Sequence, residues 1–382
     1  MKTLYLTPGC FDKGGTSRYN RYQVAALREL FGEGSVGVMS VLGPDENSFE
    51  EAFEYAFAAG GTSSRQKAAF VARATSWALR ERPALVCSAH VNLSGLGVAL
   101  ARALGAKSVV NVYGLEVWSR MRRDAAFGLK RADRVLSDCH FTAEYVADQG
   151  LHDRQSIDVL WDCVDVSRFH PGEPRREVLE RYGIPDPRSG VNLLTLGRLA
   201  PTDEYKGYLR LLDVFARVAS DCPDLRLIYG GGGPLANVLR ERAASAGLAH
   251  RVYFTGFVHE RDLPDVYRAS HLFSLVSDRG PARGEGVPLT PLEAAACGLP
   301  ILVGDQDGSQ EAIAGGRNGY VVNPFDLDAH ARHVRTLYAD AAAREAMGRA
   351  AHARIVAEHS FEVFRDRLAV HLQALGIRNG GP

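Results

Sequence analysis

The sequence predicts an α/β protein of two Rossmann-like, doubly wound parallel-sheet domains facing a central cleft. Three observations predict it. Short apolar runs rich in β-branched residues alternate with longer amphipathic segments, the pattern of right-handed βαβ units feeding a parallel sheet. The alternation halts once, in the stretch DVSRFHPGEP at 165–174, and then resumes. The length of 382 residues exceeds what one core ordinarily organises and suits two domains of under about 200 residues each.

In the first half, the expected strands are 4–6, 36–42, 84–89, 108–113, 134–137 and 157–161, with helical patterns such as 18–31, 65–80 and 95–104 between them. The second alternation has expected strands at 192–196, 225–229, 252–255, 271–276, 300–303 and 319–322, which places the domain boundary near residue 170. From Asp326 to about Leu375 the pattern is helical. Phe361, Phe364, Leu368 and Leu372 form an apolar stripe at helical spacing. The closing GIRNGGP, 376–382, carries no packing signal and is expected to fray.

Bulk composition removes several classes. Lys plus Arg and Asp plus Glu are balanced at 45 each, without the basic excess of a general nucleic-acid binder. The N-terminal MKTLYLTPGC has too short an apolar run for a signal peptide, and no run approaches the roughly 18 apolar residues of a membrane span. A cytoplasmic protein is expected. The cysteines, Cys10, Cys87, Cys139, Cys163, Cys222 and Cys297, form no C-x-x-C pair. They signal neither zinc nor redox chemistry and read as buried thiols in a reducing compartment.

Doubly wound sheets bind ligands in the loops beyond the carboxyl ends of their strands, so the chemistry is sought there. After the first strand, TPGCFDKGGTSRYN at 7–20 supplies Gly14 and Gly15, with Thr16 as the expected cap of a helix from Ser17. A helix start with unpaired N–H groups suits a phosphate, and a tight turn needing glycine explains the pair equally well. The spacing is not G-x-G-x-x-G, which argues against a dinucleotide site. After the strand at 192–196, GRLAPTDEYKG places Arg198 and Lys206 at either end of a polar loop. Two such cations can clamp a diphosphate or simply face water. Gly230–Gly233 are costly to order, so something approaches their backbone, either a ligand or the next element.

The segment RGEGVPLTPLEAAACGLPILVGD at 283–305 is the richest. Thr290, Pro291 and Glu293 read as cap, first turn and third position of a helix, in which Glu293 returns a hydrogen bond to the Thr290 N–H as a capping box. Glu285 and Gly286 precede it on a loop that feeds free N–H groups into a helix start, which favours an anion. As a hydrolase pair the two glutamates are badly spaced. Eight helical steps span about 12 Å, whereas a retaining hydrolase needs about 5–5.5 Å.

In order along the chain stand Gly14-Gly15, DVLWDCVDVSRFHP at 158–171, GRL at 197–199 with Lys206-Gly207, GGGP at 231–234, VYFTGFV at 252–258, and Glu285-x7-Glu293 followed by AAACGLPILVGD. This ordered set resembles the retaining glycosyltransferases of family 4, which have the GT-B fold. The resemblance runs over most of the chain. It implies an acceptor-binding domain at 1–170, a nucleotide-sugar-binding domain at 171–358, and a C-terminal helix at 359–382 packing back on the first domain.

By the same resemblance, Arg198 and Lys206 hold the donor diphosphate and Glu293 the ribose hydroxyls. Glu285 bonds a donor sugar hydroxyl, and Gly286, Val287 and Leu289 offer backbone N–H groups. Phe257 and Val258 line the nucleobase slot, and Gly14 and Gly15 approach the β-phosphate. The substrates implied are a UDP- or GDP-sugar and a glycan or lipid-linked acceptor of bacterial-type polysaccharide or glycolipid assembly. No metal or other cofactor is implied. Retention is expected by front-face attack, with the leaving phosphate helping to deprotonate the acceptor.

The sequence departs from the family twice. Where many relatives carry a histidine after the fourth strand, it reads Val112-Tyr113-Gly114. Tyr113 is then a steric or hydrogen-bonding substitute, and His90 the nearest residue to share the catalytic role or else a structural loop histidine. DGSQEA at 307–312 replaces a Gly-Gly and Pro-Glu pattern, so Asp307 or Gly308 is expected to touch sugar or acceptor. Residues 118–134 join Arg120, Arg122, Arg123, Lys130, Arg131 and Arg134 to Trp118, Met121, Phe127 and Leu129. A helix of this kind reads either as peripheral contact with an anionic membrane or as a solvated face. Two rival activities share the inventory: another GT-B enzyme, such as a sugar-nucleotide epimerase or a phosphorylase, and a sugar-binding protein without catalysis.

Overall fold

A computed structural model describes residues 1–11, 14–43, 53–280 and 283–377. Of the tail expected to fray, 378–382 lie outside these residues. The chain divides into two compact units: Met1–Cys163 with the segment from Phe361 onward, and Val164–Ser360.

Among the described residues the first unit carries a seven-stranded sheet in the order β3-β2-β1-β4-β5-β6-β7. These are β1 (Thr3–Thr7), β2 (Val36–Ser40), β3 (Phe57–Ala58), β4 (Leu85–Ser88), β5 (Lys107–Val112), β6 (Arg134–Ser137) and β7 (Ile157–Val159). All pairings are parallel. The interior strand β1 is buried on both faces, with Leu4, Tyr5 and Leu6 all closed to solvent, which is why it reads as a continuous apolar run rather than an alternation.

Helices α1 (Gly15–Phe31), α2 (Ser64–Glu81) and α3 (Ser94–Leu104) connect the first strands. Ser63 and Gln66 close a capping box at the start of α2. The C-terminal helix Phe361–Ala374 belongs to this unit. Its stripe residues Phe364, Leu368 and Leu372 are buried, Phe364 lies edge-on to Tyr19 of α1 at 5.3 Å, and Arg365 reaches Glu29 at 2.9 Å. Burying each such side chain stabilises by about 1.5–3 kcal/mol.

Among the described residues the second unit has a six-stranded sheet in the order β10-β9-β8-β11-β12-β13. These are β8 (Val191–Leu196), β9 (Leu225–Gly230), β10 (Val252–Gly256), β11 (Leu272–Leu275), β12 (Ile301–Gly304) and β13 (Gly319–Val322). Its pairings are also parallel. The expected class, α/β with two doubly wound sheets, is what the structure shows.

Several local expectations are corrected. β3 has only two residues, too few to leave a sequence signature. The expected strands 36–42 and 157–161 stop at Ser40 and Val159. The first unit ends at Cys163 rather than near residue 170, because the next residues pack into the second unit. Val164 pairs with Ser360 there, and Phe169 is fully buried near Tyr267. The helical tail is three helices, Leu327–Ala339, Ala341–Glu358 and Phe361–Ala374. Asp340 interrupts the first two by capping the second, accepting from the Ala343 N–H at 2.9 Å. The basic stretch 118–134 is likewise not one helix. Leu115–Trp118 ends in a short turn, and a nine-residue helix runs from Arg123 to Arg131.

Candidate functional site

The second unit gathers its polar strand-end loops around β8, β9 and β11. Gly197 ends the β8 run beside Tyr208, whose hydroxyl a Cβ would strike. The glycine run after β9 lies directly against this loop. Leu199 N–H donates to Gly232 O at 3.0 Å, and Leu235 N–H donates to Leu199 O at 2.9 Å. A Cβ on Gly231 or Gly233 would collide with the carbonyl oxygens of Gly197 and Leu199, and both glycines have positive φ. The close approach predicted for this run is therefore made by the protein's own 197–199 backbone.

Beyond Leu199 the chain makes a 3₁₀ turn, Pro201–Lys206. Arg198 forms a two-pronged pair with Asp203, Nε to Oδ2 at 2.6 Å and Nη2 to Oδ1 at 3.1 Å. Its side chain stays 69% exposed. At the end of the turn Lys206 Nζ lies 3.0 Å from Glu285 Oε1, and the Tyr205 hydroxyl donates to the same oxygen at 2.7 Å. Burial works against the Lys206 ammonium, but the Glu285 charge outweighs it and holds the Lys206 pKa above its ordinary value. Burial and then the Glu285 charge push the Tyr205 phenol up, so it remains a donor.

Arg210 fastens this turn from behind, donating to Asp278 Oδ2 at 2.7 Å and to the Tyr205 carbonyl at 2.9 Å. Gly207, at φ 81°, lets the chain pass the Val276 carbonyl, where a Cβ would not fit.

Glu285 is placed by Asp307. The Asp307 Oδ2 accepts from the Glu285 N–H at 2.9 Å and from Ser277 Oγ at 2.8 Å, and its Oδ1 from the Ser309 N–H at 3.0 Å. Gly308 N–H donates to the Glu285 carbonyl at 3.1 Å. Asp307 is fully buried, and that burial pushes its carboxyl up to about 6 against the opposing hydrogen bonds. With no exposed surface and both oxygens engaged, Asp307 supports the Glu285 loop. Gly308, also buried, acts there through its backbone.

The helix following Glu285 begins earlier than expected, at Leu289, with Pro288 in the cap position and no side-chain cap bond. Thr290 is therefore inside the helix, and the predicted capping box is absent. Glu293 is 1% exposed and its Oε2 accepts from the Tyr267 hydroxyl at 2.7 Å. Val287 and Leu289 are buried, while Gly286 is partly open. On the turn after β10, Phe257 is exposed and Val258 buried.

In the first unit, α1 starts at Gly15 with Gly14 in the cap position at φ 150°, so Thr16 is not the cap, and no side chain caps the helix. Open space surrounds a Cβ at Gly14. His90, after β4, caps a short 3₁₀ turn by accepting the Asn92 N–H on Nδ1 at 3.1 Å. This leaves Nε2 to carry the ring proton. Tyr113 is partly buried; its single O–H proton has Ala89 O at 3.0 Å and Asn20 Oδ1 at 3.2 Å as acceptors, and its oxygen accepts from Asn111 Nδ2 at 3.2 Å. This network occupies the Tyr113 hydroxyl, while the ring stays partly open beside Tyr19.

Sequence reasoning missed Tyr205, Arg210, Tyr267, Ser277 and Asp278. Tyr205 stands beside Lys206 and was within reach of a sequence argument. Tyr267 meets Glu293 only through tertiary packing.

The description "Glycosyl transferase 4-like domain" matches residues 14–160, and "Glycosyl transferases group 1" matches 188–354. The chain belongs to this family of glycosyltransferases with the GT-B fold. It is 32% identical over 256 residues to a GDP-mannose-dependent alpha-(1-6)-phosphatidylinositol monomannoside mannosyltransferase of Mycolicibacterium smegmatis, covering 65% of each chain. It is 30% identical over 255 residues to the lipopolysaccharide core biosynthesis mannosyltransferase LpsB of Rhizobium meliloti, covering 65% of this chain and 67% of that one. A mannosylfructose-phosphate synthase of Agrobacterium fabrum is 37% identical over 193 residues, of which the match spans only 40% of the relative's length. Anabaena Alr3699/HepE, solved in complex with UDP, shares the fold at a TM-score of 0.78 and 18% identity, over 98% of this chain and all of that one.

Proposed function

We propose that the protein is a retaining, metal-independent hexosyltransferase. It moves a sugar from a UDP- or GDP-sugar to a glycan or lipid-linked acceptor in polysaccharide or glycolipid assembly. The observation that carries this reading is the Lys206–Glu285 pair at 3.0 Å, held beside a helix start without a side-chain cap. A cation and a carboxylate so placed meet the two parts of a sugar nucleotide, an anionic diphosphate and a hydroxyl-bearing ring.

In this reading Lys206 and Arg198 bind the diphosphate and stabilise the charge that grows on it as the glycosidic bond breaks. The N–H groups from Gly286 to Leu289 add to that stabilisation. Glu285 accepts a sugar hydroxyl, Glu293 binds the ribose, and Phe257 with Val258 borders the base. The uncapped start of α1 at Gly14 and Gly15 offers N–H groups to a phosphate, and the His90 Nε2–H is a donor to substrate. The departing phosphate oxygen takes the acceptor proton on the face the acceptor enters, so the anomeric configuration is kept. The names of the mannosyltransferase relatives support a hexose donor and a glycolipid acceptor.

Donor identity is tested by thermal shift against UDP, GDP, ADP and their common sugars. Mechanism is tested by the anomeric configuration of the product and by activity in EDTA. An inverted product, or activity lost in EDTA and restored by a divalent ion, overturns the corresponding part.

We further propose a cytoplasmic protein bound peripherally at the inner face of a membrane. Among the described residues, no helix is long and apolar enough to cross one. Trp118, Met121 and Leu129 of the basic stretch pack inward, but Phe127 and Leu115 are exposed. Around them Arg120, Arg122, Arg123, Lys130 and Arg131 face solvent. Co-sedimentation with anionic vesicles at low salt tests this, and absence of binding overturns it.

A further inference from the structure

We propose that Tyr205 is a positioning residue that fixes the Glu285 carboxylate for a donor sugar independently of Lys206; this rests on the reading of the pocket as a donor site. Two donors from consecutive residues meet on one oxygen, Glu285 Oε1: the Tyr205 hydroxyl at 2.7 Å and the Lys206 ammonium at 3.0 Å. Among the described residues no hydrogen bond reaches the other oxygen, Oε2, and the glutamate side chain retains 15% exposure. One oxygen is thus anchored and the other is left for a ligand hydroxyl.

The two anchors differ in what they can do next. Lys206 carries a charge that an incoming diphosphate competes for, and an ammonium on a flexible stem follows the stronger anion. Tyr205 is neutral and has no such conflict. Its backbone is also fixed, since the Tyr205 carbonyl accepts from Arg210 Nη2 at 2.9 Å and from the Asp278 N–H at 2.8 Å. When Lys206 turns to the diphosphate, Tyr205 keeps the carboxylate in place. Without it, Glu285 and the diphosphate contend for Lys206.

The test is calorimetry on wild type, Tyr205→Phe, Glu285→Ala and the double variant, with GDP, GDP-mannose, UDP and UDP-glucose as probes. A hydrogen bond to a charged group accounts for about tenfold in affinity. In Tyr205→Phe the ratio of sugar-nucleotide affinity to bare-diphosphate affinity should therefore fall about tenfold, while affinity for the bare diphosphate stays within about twofold of wild type. In the Glu285→Ala background, losing the Tyr205 hydroxyl should change that ratio by less than about twofold, because the two act as one unit. Equal losses for diphosphate and sugar nucleotide, or an undiminished Tyr205 effect without Glu285, overturn the proposal. Wild-type protein that binds none of the four probes instead overturns the donor-site reading, and the proposal with it.

Discussion

The strand-end loops of the two units use polar side chains in opposite ways. Beyond β8 in the second unit, Lys206 and Glu285 pair at 21% and 15% side-chain exposure, two opposite charges still open to a ligand. Beyond β5 in the first unit, Tyr113 turns its hydroxyl into a closed network. There Tyr5 donates to Gln23 Oε1 at 2.8 Å, Asn111 Nδ2 to the same oxygen at 2.6 Å, and Asn20 Nδ2 to Thr7 Oγ1 at 2.8 Å. Buried polar groups that are fully partnered rigidify a core, while charged groups left at a rim keep their energy for a substrate. Beyond β5 the polar side chains of the first unit close on one another, whereas beyond β8 the charged pair of the second unit stays partly open.

The sharpest way to break this comparison is Lys206→Ala. If the second unit's pair is the reactive one, turnover falls by roughly 10²–10³, the loss for one preorganised contact to a leaving group. Turnover within threefold of wild type, measured with saturating donor, removes Lys206 from the chemistry. A smaller effect is expected from Glu293→Gln. The amide oxygen can still accept from Tyr267, so the melting temperature should hold, while nucleotide affinity drops about tenfold on loss of a charged acceptor. Unchanged affinity with a lower melting temperature would make Glu293 a purely structural partner of Tyr267.

A few-fold effect should come from pH. The Asp307 carboxyl has a folded pKa of about 6, above the ordinary unfolded value of about 3.9. Its protonated form is therefore favoured by folding. The contribution to stability is fully present below about pH 4 and is lost as pH rises through 6. The Glu285 N–H bond has the reverse preference, because the ionised carboxylate is the stronger acceptor. Activity should show an acidic limb near pH 6 that disappears in Asp307→Asn. A limb that persists in that variant assigns it to another group.

How much of this was legible in the sequence depended on whether the interaction was local. Interior strands such as β1, β2, β4, β11 and β12 were readable from apolar runs because they are buried throughout. The Arg198 and Lys206 loop and the Glu285–Glu293 spacing were readable because the residues lie close along the chain. Helix starts were misread at Thr16 and Thr290, where a hydroxyl offered a local cap but the backbone began the helix at Gly15 and Leu289. The roles of Asp307, Tyr267 and Tyr113 were out of reach, since each is set by partners brought together from distant positions. A buried aspartate in a DGS turn looks the same in sequence as one facing a sugar.

The smallest effect on activity, and the most direct check on the first unit, is expected from Tyr113→Phe. It removes a hydroxyl whose single proton has Ala89 O and Asn20 Oδ1 as acceptors and whose oxygen accepts from Asn111, while the ring keeps its edge contact with Tyr19 at 5.2 Å. Stability should fall by about 1–3 kcal/mol, the cost of leaving buried polar partners unmet, and a lowered melting temperature would register it. Turnover should stay within about threefold if the hydroxyl acts only through its protein partners. A large loss of turnover at unchanged melting temperature would instead put this hydroxyl in the reaction, and the contrast between a reactive second unit and a braced first one would fail.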